Sequence, residues 1–261
     1  MPLPIRLIST DFDGTLFAEF ENPPISRRLE DLLRDLQARG AAWVINTGRD
    51  MSSLMEALAR SQISIQPDYL VLVEREIYRH DGVRYAPVET WNDACAREHA
   101  ELFARVRPAV SELTEWINSR FRATVYEDAY SPFCLIAGNN GDADVIHERL
   151  NSFCARFPQL AVVRNDVYAR FSHAAYNKGT ALGELTRRHA LTAGEVFATG
   201  DHLNDLPMLT ANYARWLAAP HNAIEPVKEV VTRQRGFVSR LTHGEGVADG
   251  LEHHLAETGH Q

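Results

Sequence analysis

The sequence predicts an α/β protein built on a doubly wound, Rossmann-like parallel sheet that carries an inserted α+β cap domain. At both ends of the chain, short apolar segments alternate with amphipathic ones, as strands and helices do in such a sheet. This alternation is lost near Asp81-Gly82 and resumes after a block of about ninety residues. We therefore expect a core domain formed by residues 1–82 and 174–261, and a cap formed by residues 83–173.

The first part of the predicted core contains three buried strands. The apolar runs Leu7-Ile8, Ala41–Ile45 and Tyr69–Val73 are typical of parallel strands that are covered on both faces. Between the first two runs, Ser26 is a suitable N-cap for a helix and Gly40 a suitable residue just beyond its end. The order is therefore strand, helix, strand, helix, strand, which is expected for one half of a doubly wound sheet.

The inserted segment predicts the order helix, two strands, helix, two strands. Its first helix covers about Thr90 to Asn118 and is expected to be interrupted at Pro108, because proline lacks the N–H that continues a helix. A second helix covers Val145–Phe157. The last two strands form a hairpin across Asn165-Asp166, a residue pair that tolerates tight turns. Such a block is typical of a small α+β layer.

The alternating pattern continues after the inserted segment. A helix is expected to begin at Lys178, followed by a strand over Gly194–Thr199 and a helix that begins at Leu206. The short apolar run Arg215–Ala219 predicts a further strand, and Gly244 lies at the start of the last predicted helix. These elements complete the second half of the sheet.

The composition argues against several classes of protein. The 261 residues carry a net charge of −8 without a basic stripe, which argues against a nucleic-acid partner. No apolar run approaches the length of a membrane span and no secretory signal is evident, so we expect a cytoplasmic protein that does not bind membranes. The three cysteines lack the spacing of a zinc site or a disulfide framework. Monomer and homodimer are both compatible with the sequence.

Two carboxylates follow the first predicted strand. Asp11 and Asp13 lie one residue apart, and Gly14 then turns the chain. Open α/β sheets place their chemistry at the carboxyl ends of strands. A pair of carboxylates at one buried site would repel each other, and a divalent cation would remove that cost. Taken alone, the segment is equally compatible with an ordinary acidic turn.

Three further polar clusters lie at strand ends or helix starts, and they complement the first. They are Thr47 with Gly48, Lys178 by itself, and Asp201 with Asn204 and Asp205. Because the carboxyl ends of parallel strands share one sheet edge, we expect the four clusters to converge. Carboxylates are the ligands that Mg²⁺ prefers, and a lysine, a hydroxyl and a backbone N–H suit phosphate oxygens. A carboxylate can also act as a nucleophile or as a general acid and base.

These four clusters resemble the motifs of the haloacid dehalogenase superfamily of aspartate-nucleophile phosphatases. The matching segments are Asp11-Phe12-Asp13-Gly14-Thr15, Asn46-Thr47-Gly48-Arg49, Asn177-Lys178-Gly179 and Gly200-Asp201-His202-Leu203-Asn204-Asp205. The position and size of the insert resemble the branch with a large α/β cap, which includes sugar phosphatases. Within that branch, the segment from Val73 to Tyr78 is similar to the sucrose-phosphatase-like subgroup.

The resemblance implies a role for each matching residue. Asp11 is expected to be the nucleophile and a ligand of Mg²⁺. Asp13 is expected to protonate the leaving oxygen and then activate water, and its backbone carbonyl to bind the metal. Asp201 is expected to bind the metal, and Asp205 is expected either to lie in the outer shell of the metal or to orient Lys178. The phosphoryl group is expected to be bound by Thr47, Gly48, Lys178 and Asn204.

Other residues are weaker candidates. Arg49 could contact phosphate or form a surface ion pair, and His202 belongs to the fourth motif at a position where catalysis is not expected. His173 is expected to serve in packing or at a hinge. Three larger sets are also candidates. Glu74, Arg75 and Glu76 could bind substrate hydroxyls or form a solvated turn, and Tyr126, Glu127 and Asp128 could face the site. The aromatic residues Trp91, Phe103 and Trp116 are expected in the core of the cap.

We therefore expect a Mg²⁺-dependent phosphatase that hydrolyses a small phosphorylated metabolite, in particular a sugar phosphate, through an aspartyl-phosphate. A phosphomutase or phosphotransferase would use the same nucleophile but protect the intermediate from water. A sugar-phosphate sensor without activity is a third hypothesis. The intact pair of Asp11 and Asp13 argues against a sensor, because binding alone needs no acid–base carboxylate.

Overall fold

The computed structural model describes residues 3–259, which form two compact units. In chain order, the helices and strands are β1 (Leu7–Thr10), α1 (Arg27–Ala38), β2 (Ala42–Asn46), α2 (Met51–Ser61), β3 (Tyr69–Leu72), β4 (Glu76–His80), β5 (Tyr85–Pro87), α3 (Glu89–Asn118), β6 (Ala123–Tyr126), β7 (Cys134–Ala137), α4 (Asn140–Cys154), β8 (Leu160–Asn165), β9 (Tyr168–His173), α5 (Lys178–Arg188), β10 (Val196–Thr199), β11 (Trp216–Ala219), α6 (Glu225–Arg233), β12 (Phe237–Val238) and α7 (His243–Gly259). Short 3₁₀ turns cover Ala193–Glu195 and Leu203–Asp205.

The first unit is a doubly wound α/β domain. Within the described residues, its sheet has eight strands in the order β12-β11-β10-β1-β2-β3-β4-β5. The strands from β12 to β3 are parallel, whereas β4 and β5 add antiparallel pairs at one edge. The chain winds from β1 to β3 in one direction and from β10 to β12 in the other, so the topological switch point lies at β1. The predicted fold class is confirmed, and ligands of such sheets bind beyond the strand ends at this point.

The buried strands and helix caps of this unit follow from the sequence. All four residues of β1 are fully buried, as expected for a central parallel strand. The Ser26 hydroxyl accepts from the backbone N–H of Leu29 and so caps α1. Beyond the other end of that helix, Gly40 has φ +96°, the left-handed conformation that glycine adopts most easily.

The second unit covers Glu89–Asn177. In this described segment, four antiparallel strands in the order β6-β7-β9-β8 pack with α3 and α4. Its hydrophobic core includes stacked rings, since the centroids of Phe133 and Phe171 lie 4.7 Å apart and those of Phe153 and Phe171 lie 5.4 Å apart. Leu102, Leu150 and other aliphatic side chains surround these rings. The element order is αββαββ.

The division between the two units differs from the sequence prediction by a few residues. The first unit extends to Val88, because Tyr85–Pro87 pairs with β4, whereas the boundary was predicted after residue 82. The glycine at that position, Gly82, has φ +97° and turns the chain between the two paired strands. At the other end, the first unit resumes at Lys178 instead of residue 174.

Two predicted helix features are wrong. Pro108 does not interrupt α3, which runs from Glu89 to Asn118. Both Pro108 and Ala104, whose carbonyl loses its partner, are exposed, so water can solvate that carbonyl. The helix predicted to begin at Leu206 is instead a series of turns. Pro207 lacks the N–H that would bond to the carbonyl of Leu203 in a helix.

Other features of the fold bear on the class of protein. Among the helices of residues 3–259, none has the length and apolar character required to cross a bilayer. The side chains of Cys95, Cys134 and Cys154 are all buried, as expected for small apolar residues in a core.

Candidate active site

The carboxyl ends of three adjacent strands bring most of the candidate residues together. Asp11 directly follows β1, Thr47 directly follows β2, and Asp201 lies two residues after β10. Since β1 pairs with both β2 and β10 in parallel, these positions share one sheet edge. Lys178 is the first residue of α5 and reaches the same place. The predicted convergence of the clusters is observed for these four residues.

Lys178 joins two carboxylates from different parts of the chain. Its Nζ atom lies 2.5 Å from Oδ1 of Asp11 and 2.6 Å from Oδ1 of Asp205. The side chains of Lys178 and Asp205 are completely buried and that of Asp11 is 6 % exposed. Although burial lowers the pKa of Lys178, the carboxylates of Asp11 and Asp205 outweigh it and raise this pKa. The lysine is therefore held as an ammonium.

An excess of negative charge remains at the site. Ligand oxygens of Asp11, Asp201 and Asp205 all lie within 4.8 Å of one another, whereas Lys178 supplies one positive charge. Burial and the Asp205 carboxylate raise the pKa of Asp11 well above its ordinary value and that of Asp201 to about 7. Three carboxylates and one ammonium have a net charge of −2, which a divalent cation would neutralise. The all-oxygen donor set suits a hard cation such as Mg²⁺.

Short loops fix the carboxylates of Asp201 and Asp205. Oδ2 of Asp205 accepts from the backbone N–H groups of Asp201 at 2.9 Å and of His202 at 3.0 Å. The hydroxyl of Thr15 donates to Oδ1 of Asp201 over 2.8 Å. A Cβ atom on Gly14 would lie 2.4 Å from Oδ2 of Asp201, so glycine is required for this close approach. The role of Thr15 in holding Asp201 was not predicted, although it belongs to the first motif.

The side chain of Asp13 does not belong to the acidic cluster. Arg49 binds it through two hydrogen bonds, from Nε to Oδ2 over 2.8 Å and from Nη2 to Oδ1 over 2.7 Å. The guanidinium also lies 5.4 Å from the ring centroid of Phe12 and 6.0 Å from that of Phe17. Planar, bidentate pairing of this kind fixes the orientation of both side chains. Arg49 therefore forms a partly buried ion pair with a candidate catalytic residue.

A second polar pair lies beside Thr47 and Gly48. Asn204 donates from Nδ2 to Oε1 of Glu74 over 3.0 Å, and no described residue pairs with its Oδ1 atom. The same Glu74 oxygen would lie 3.2 Å from a Cβ atom on Gly48, so the loop after β2 packs closely against it. Glu74 is 5 % exposed and has φ 67°, a left-handed conformation. Of the two alternatives left open for this segment, the solvated turn is contradicted by the burial of Glu74 and Arg75.

The comparisons with known proteins show the family of this chain. Residues 109–251 match the family model described as haloacid dehalogenase-like hydrolase, which is more than half of the chain. The chain belongs to this family. Residues 4–117 also match a model described as sucrose-6F-phosphate phosphohydrolase. The predicted superfamily is confirmed, and the protein is a phosphoric monoester hydrolase of the haloacid dehalogenase type.

Individual relatives extend this similarity over nearly the whole chain. A 5-amino-6-(5-phospho-D-ribitylamino)uracil phosphatase of Bacillus subtilis is 24 % identical over 95 % of each chain. The crystal structure of the sucrose-phosphatase of Synechocystis sp., in complex with sucrose and phosphate, is 16 % identical with a TM-score of 0.74 and covers 96 % of this chain and 97 % of that one. A haloacid dehalogenase-like hydrolase from B. subtilis is 20 % identical with a TM-score of 0.68, covering 95 % and 99 %. These structures share the fold.

The remaining candidates of this haloacid dehalogenase-like hydrolase have structural contacts. His202 contributes its backbone N–H to Asp205. In the inserted unit, His173 is 2 % exposed and its Nε2 atom lies 2.9 Å from Oε1 of Gln159, which agrees with packing. Of the three aromatic residues expected in the cap core, Phe103 lies in the core of that unit and Trp116 packs against it. Trp91 instead contacts Tyr176 edge-on.

Three further candidates lie at the end of β6 and in the loop that follows it. Tyr126 is 37 % exposed, Glu127 pairs with Arg107, and Oδ1 of Asp128 accepts from the backbone N–H of Tyr130 over 2.7 Å. The last contact is an Asx turn, which fixes the loop without the need for a ligand. Each of these contacts lies within the inserted unit.

The raised pKa of Asp201 predicts how the stability of the metal-free protein depends on pH. Its folded-state pKa of about 7 exceeds the ordinary value of 3.8, so the folded state binds the proton more tightly than the unfolded state. Stability should therefore be highest below pH 4 with respect to this group, and should fall until about pH 7. Thermal midpoints measured in EDTA should show a weaker fall for Asp201→Asn, and added Mg²⁺ should stabilise the protein more at pH 8 than at pH 5.

The exposed carboxylate of Asp31 provides a matched control for this measurement. Its side chain is 72 % exposed, so Asp31→Asn should leave the pH dependence unchanged. A wild-type pH profile in Asp201→Asn, or an equal effect of Mg²⁺ at both pH values, would contradict the assignment of the charge excess to this site.

Proposed function

We propose that this haloacid dehalogenase-like phosphatase requires Mg²⁺ and hydrolyses the phosphate monoester of a sugar or sugar alcohol through an aspartyl-phosphate on Asp11. The observation that carries the proposal is the buried contact of Lys178 with Asp11 and Asp205 beside the carboxylate of Asp201. This arrangement presents a fixed nucleophile and a fixed cation at the same point. Phosphoryl transfer depends mainly on such positioning and on the stabilisation of charge.

In the first step, Asp11 attacks the phosphorus atom. One carboxylate oxygen forms the new P–O bond while the bond to the substrate's ester oxygen breaks, and Asp13 supplies the proton that this leaving oxygen requires. Lys178 places its ammonium beside Asp11, where it also reaches the oxygens of the transferring group. Asp205 binds the same ammonium and so acts as a positioning residue.

In the second step, water hydrolyses the aspartyl-phosphate. Asp13 is now a carboxylate and removes a proton from the attacking water, whose oxygen bonds to phosphorus as the bond to Asp11 breaks. Phosphate leaves and both aspartates return to their initial states. The Arg49 pair places Asp13 in one orientation, and Asp13 must give up at least one of its two hydrogen bonds to Arg49 when it handles the proton.

Mg²⁺ would be held by Asp11 and Asp201, with the backbone carbonyl of Asp13 as a further ligand and Asp205 in the outer shell. When bound, it neutralises the charge of the phosphoryl oxygens and of the surrounding carboxylates. Thr47 supports the phosphate, since its hydroxyl oxygen accepts from the backbone N–H of Arg49 at 3.2 Å and its proton remains for another acceptor.

The substrate class is supported by the names of two relatives. One matched family model is described as acting on sucrose 6F-phosphate, and one relative as acting on a 5-phospho-D-ribityl compound. Both names describe a phosphate ester on a polyhydroxylated carbon chain. A site that binds hydroxyl groups would distinguish such chains from apolar leaving groups by several kcal/mol, because it leaves no polar group unpaired.

The nucleophile is tested by Asp11→Asn. This substitution retains the shape of the side chain but removes the attacking carboxylate, so turnover of aryl and sugar phosphates should fall to background. A phosphate-release assay with Mg²⁺ measures this, and a thermal melt confirms that the protein is folded. The exposed Asp31→Asn variant should retain full activity. Near wild-type turnover in Asp11→Asn would falsify the mechanism.

The acid role of Asp13 is tested by comparing leaving groups. A p-nitrophenolate leaves without a proton, whereas the alkoxide of a sugar does not. In Asp13→Asn, kcat/KM should therefore fall by about 10²–10⁴ for a sugar phosphate and by much less for p-nitrophenyl phosphate. Equal losses for both substrates would exclude proton donation to the leaving oxygen as the role of Asp13.

The substrate class is tested with a panel of phosphate monoesters. We expect the highest kcat/KM values for sugar and sugar-alcohol phosphates, ahead of nucleotides and phosphorylated amino acids. A nucleotide as the best substrate would contradict the class while leaving the mechanism intact. The products also matter: transfer of phosphate to an added sugar instead of water would identify a phosphotransferase.

A further inference from the structure

A second group of metal-binding side chains lies near the end of α7, at the opposite end of the sequence from Asp11. It consists of His253, His254 and Glu257, whose ligand atoms all lie within 4.8 Å of one another. We propose that these three residues bind a divalent transition-metal ion of the zinc type. The site is separate from the oxygen-only cluster of the active site in both position along the chain and ligand chemistry.

The spacing of the side chains suits a chelating site on a helix. His253 and Glu257 are four residues apart, so they lie on the same helix face, as do the metal-binding pairs of other helices. Nε2 of His253 lies 3.6 Å from Oε1 of Glu257, and Nδ1 of His254 lies 3.3 Å from Oε2. Ligands of a tetrahedral zinc ion with bonds of about 2.0–2.1 Å are separated by roughly 3.3 Å. Both distances are close to this separation, although the two histidines face different oxygens of the Glu257 carboxylate, and all three ligand atoms lie within 4.8 Å of one another.

The tautomer of His254 is set by the fold. Its Nε2 atom lies 2.9 Å from the backbone carbonyl oxygen of Leu217, in β11, and a carbonyl can only accept. Nε2 must therefore carry the proton, which leaves the lone pair of Nδ1 directed at Glu257 when the ring is neutral. A hydrogen bond of this kind on the distal nitrogen is the usual support of a metal-bound histidine.

His253 is also held in place. Its ring stacks on Phe237, in β12, with a centroid separation of 4.3 Å and an interplanar angle of 24°. Both imidazoles are thus fixed by contacts that do not involve their ligand nitrogens. Fixed ligands lose little conformational freedom when an ion binds, which favours affinity.

The environment also favours a cation. The lone pair of a neutral His254 and the carboxylate of Glu257 face each other, so a positive charge between them is required to make the contact attractive. The side chain of His254 is 3 % exposed, whereas those of His253 and Glu257 are 42 % and 52 % exposed. An ion would therefore enter from solvent and connect the end of α7 to β11 and β12. Imidazole with one carboxylate selects zinc-type ions over Mg²⁺.

The proposal is tested with Co²⁺, whose visible absorption reports its ligands. The full-length protein is stripped with EDTA, transferred to buffer with excess Mg²⁺ and titrated with Co²⁺. We expect saturable binding of a single equivalent, unchanged in Asp201→Asn and in His221→Gln, which alters an exposed histidine outside the group. In His253→Gln and in Glu257→Gln, the affinity should fall about tenfold or more.

A second readout is thermal stability. Zn²⁺ should raise the thermal midpoint of the wild type in the presence of Mg²⁺ and should not raise that of Glu257→Gln. Both substitutions alter exposed side chains, so the variants should fold. The proposal is overturned if Co²⁺ does not bind, if both variants bind it as the wild type does, or if binding is lost in Asp201→Asn. Loss of binding in Asp201→Asn would assign the ion to the active site. Either of the other two results would mean that the histidines and Glu257 form an ion pair only.

Discussion

The buried contact of Lys178 with Asp11 and Asp205 is the interaction on which the catalytic unit depends. The three residues come from the end of β1, the start of α5 and the 3₁₀ turn after β10, so their charges connect both sequence segments of this unit. Removing Lys178 would leave the buried carboxylates of Asp11 and Asp205 without a counter-charge, at a cost of about 3–5 kcal/mol. The same contact therefore also fixes the side chain of Asp11, the proposed nucleophile.

This contact is only partly compensated, and the proposed function depends on that imbalance. Three carboxylates around one ammonium destabilise the metal-free protein, as the raised pKa values of Asp11 and Asp201 indicate. In the proposed function, the same charges would select a divalent cation and, with it, a phosphate dianion. Gly14 permits the crowding, since any side chain there would collide with Asp201. Stability is thus reduced where binding requires it.

The sequence predicted the elements that depend on local patterns. Buried strands such as β1 and β2 appear as apolar runs, and the polar residues that follow them must share a sheet edge in any doubly wound fold. Short-range signals were less reliable where tertiary contacts decide. Gly82 marked a turn within the sheet instead of a domain boundary, and Glu74 is buried by its contact with Asn204, 130 residues away. No local pattern contains such pairings.

The pairing of Asp13 with Arg49 shows the same limit and has a mechanistic consequence. The two residues belong to different motifs, and only the fold shows that both oxygens of Asp13 are engaged at once. The structure therefore separates the two aspartates of the first motif: Asp11 is held by a buried lysine among carboxylates, and Asp13 by a partly exposed arginine against aromatic rings. In an extended strand, residues two positions apart point to the same side of the sheet, so Asp11 and Asp13 would do so only if the chain stayed extended. Here β1 ends at Thr10 and Phe12 already lies in a turn, so the two carboxylates reach different partners. In the proposed mechanism, these distinct partners allow one carboxylate to attack while the other handles protons.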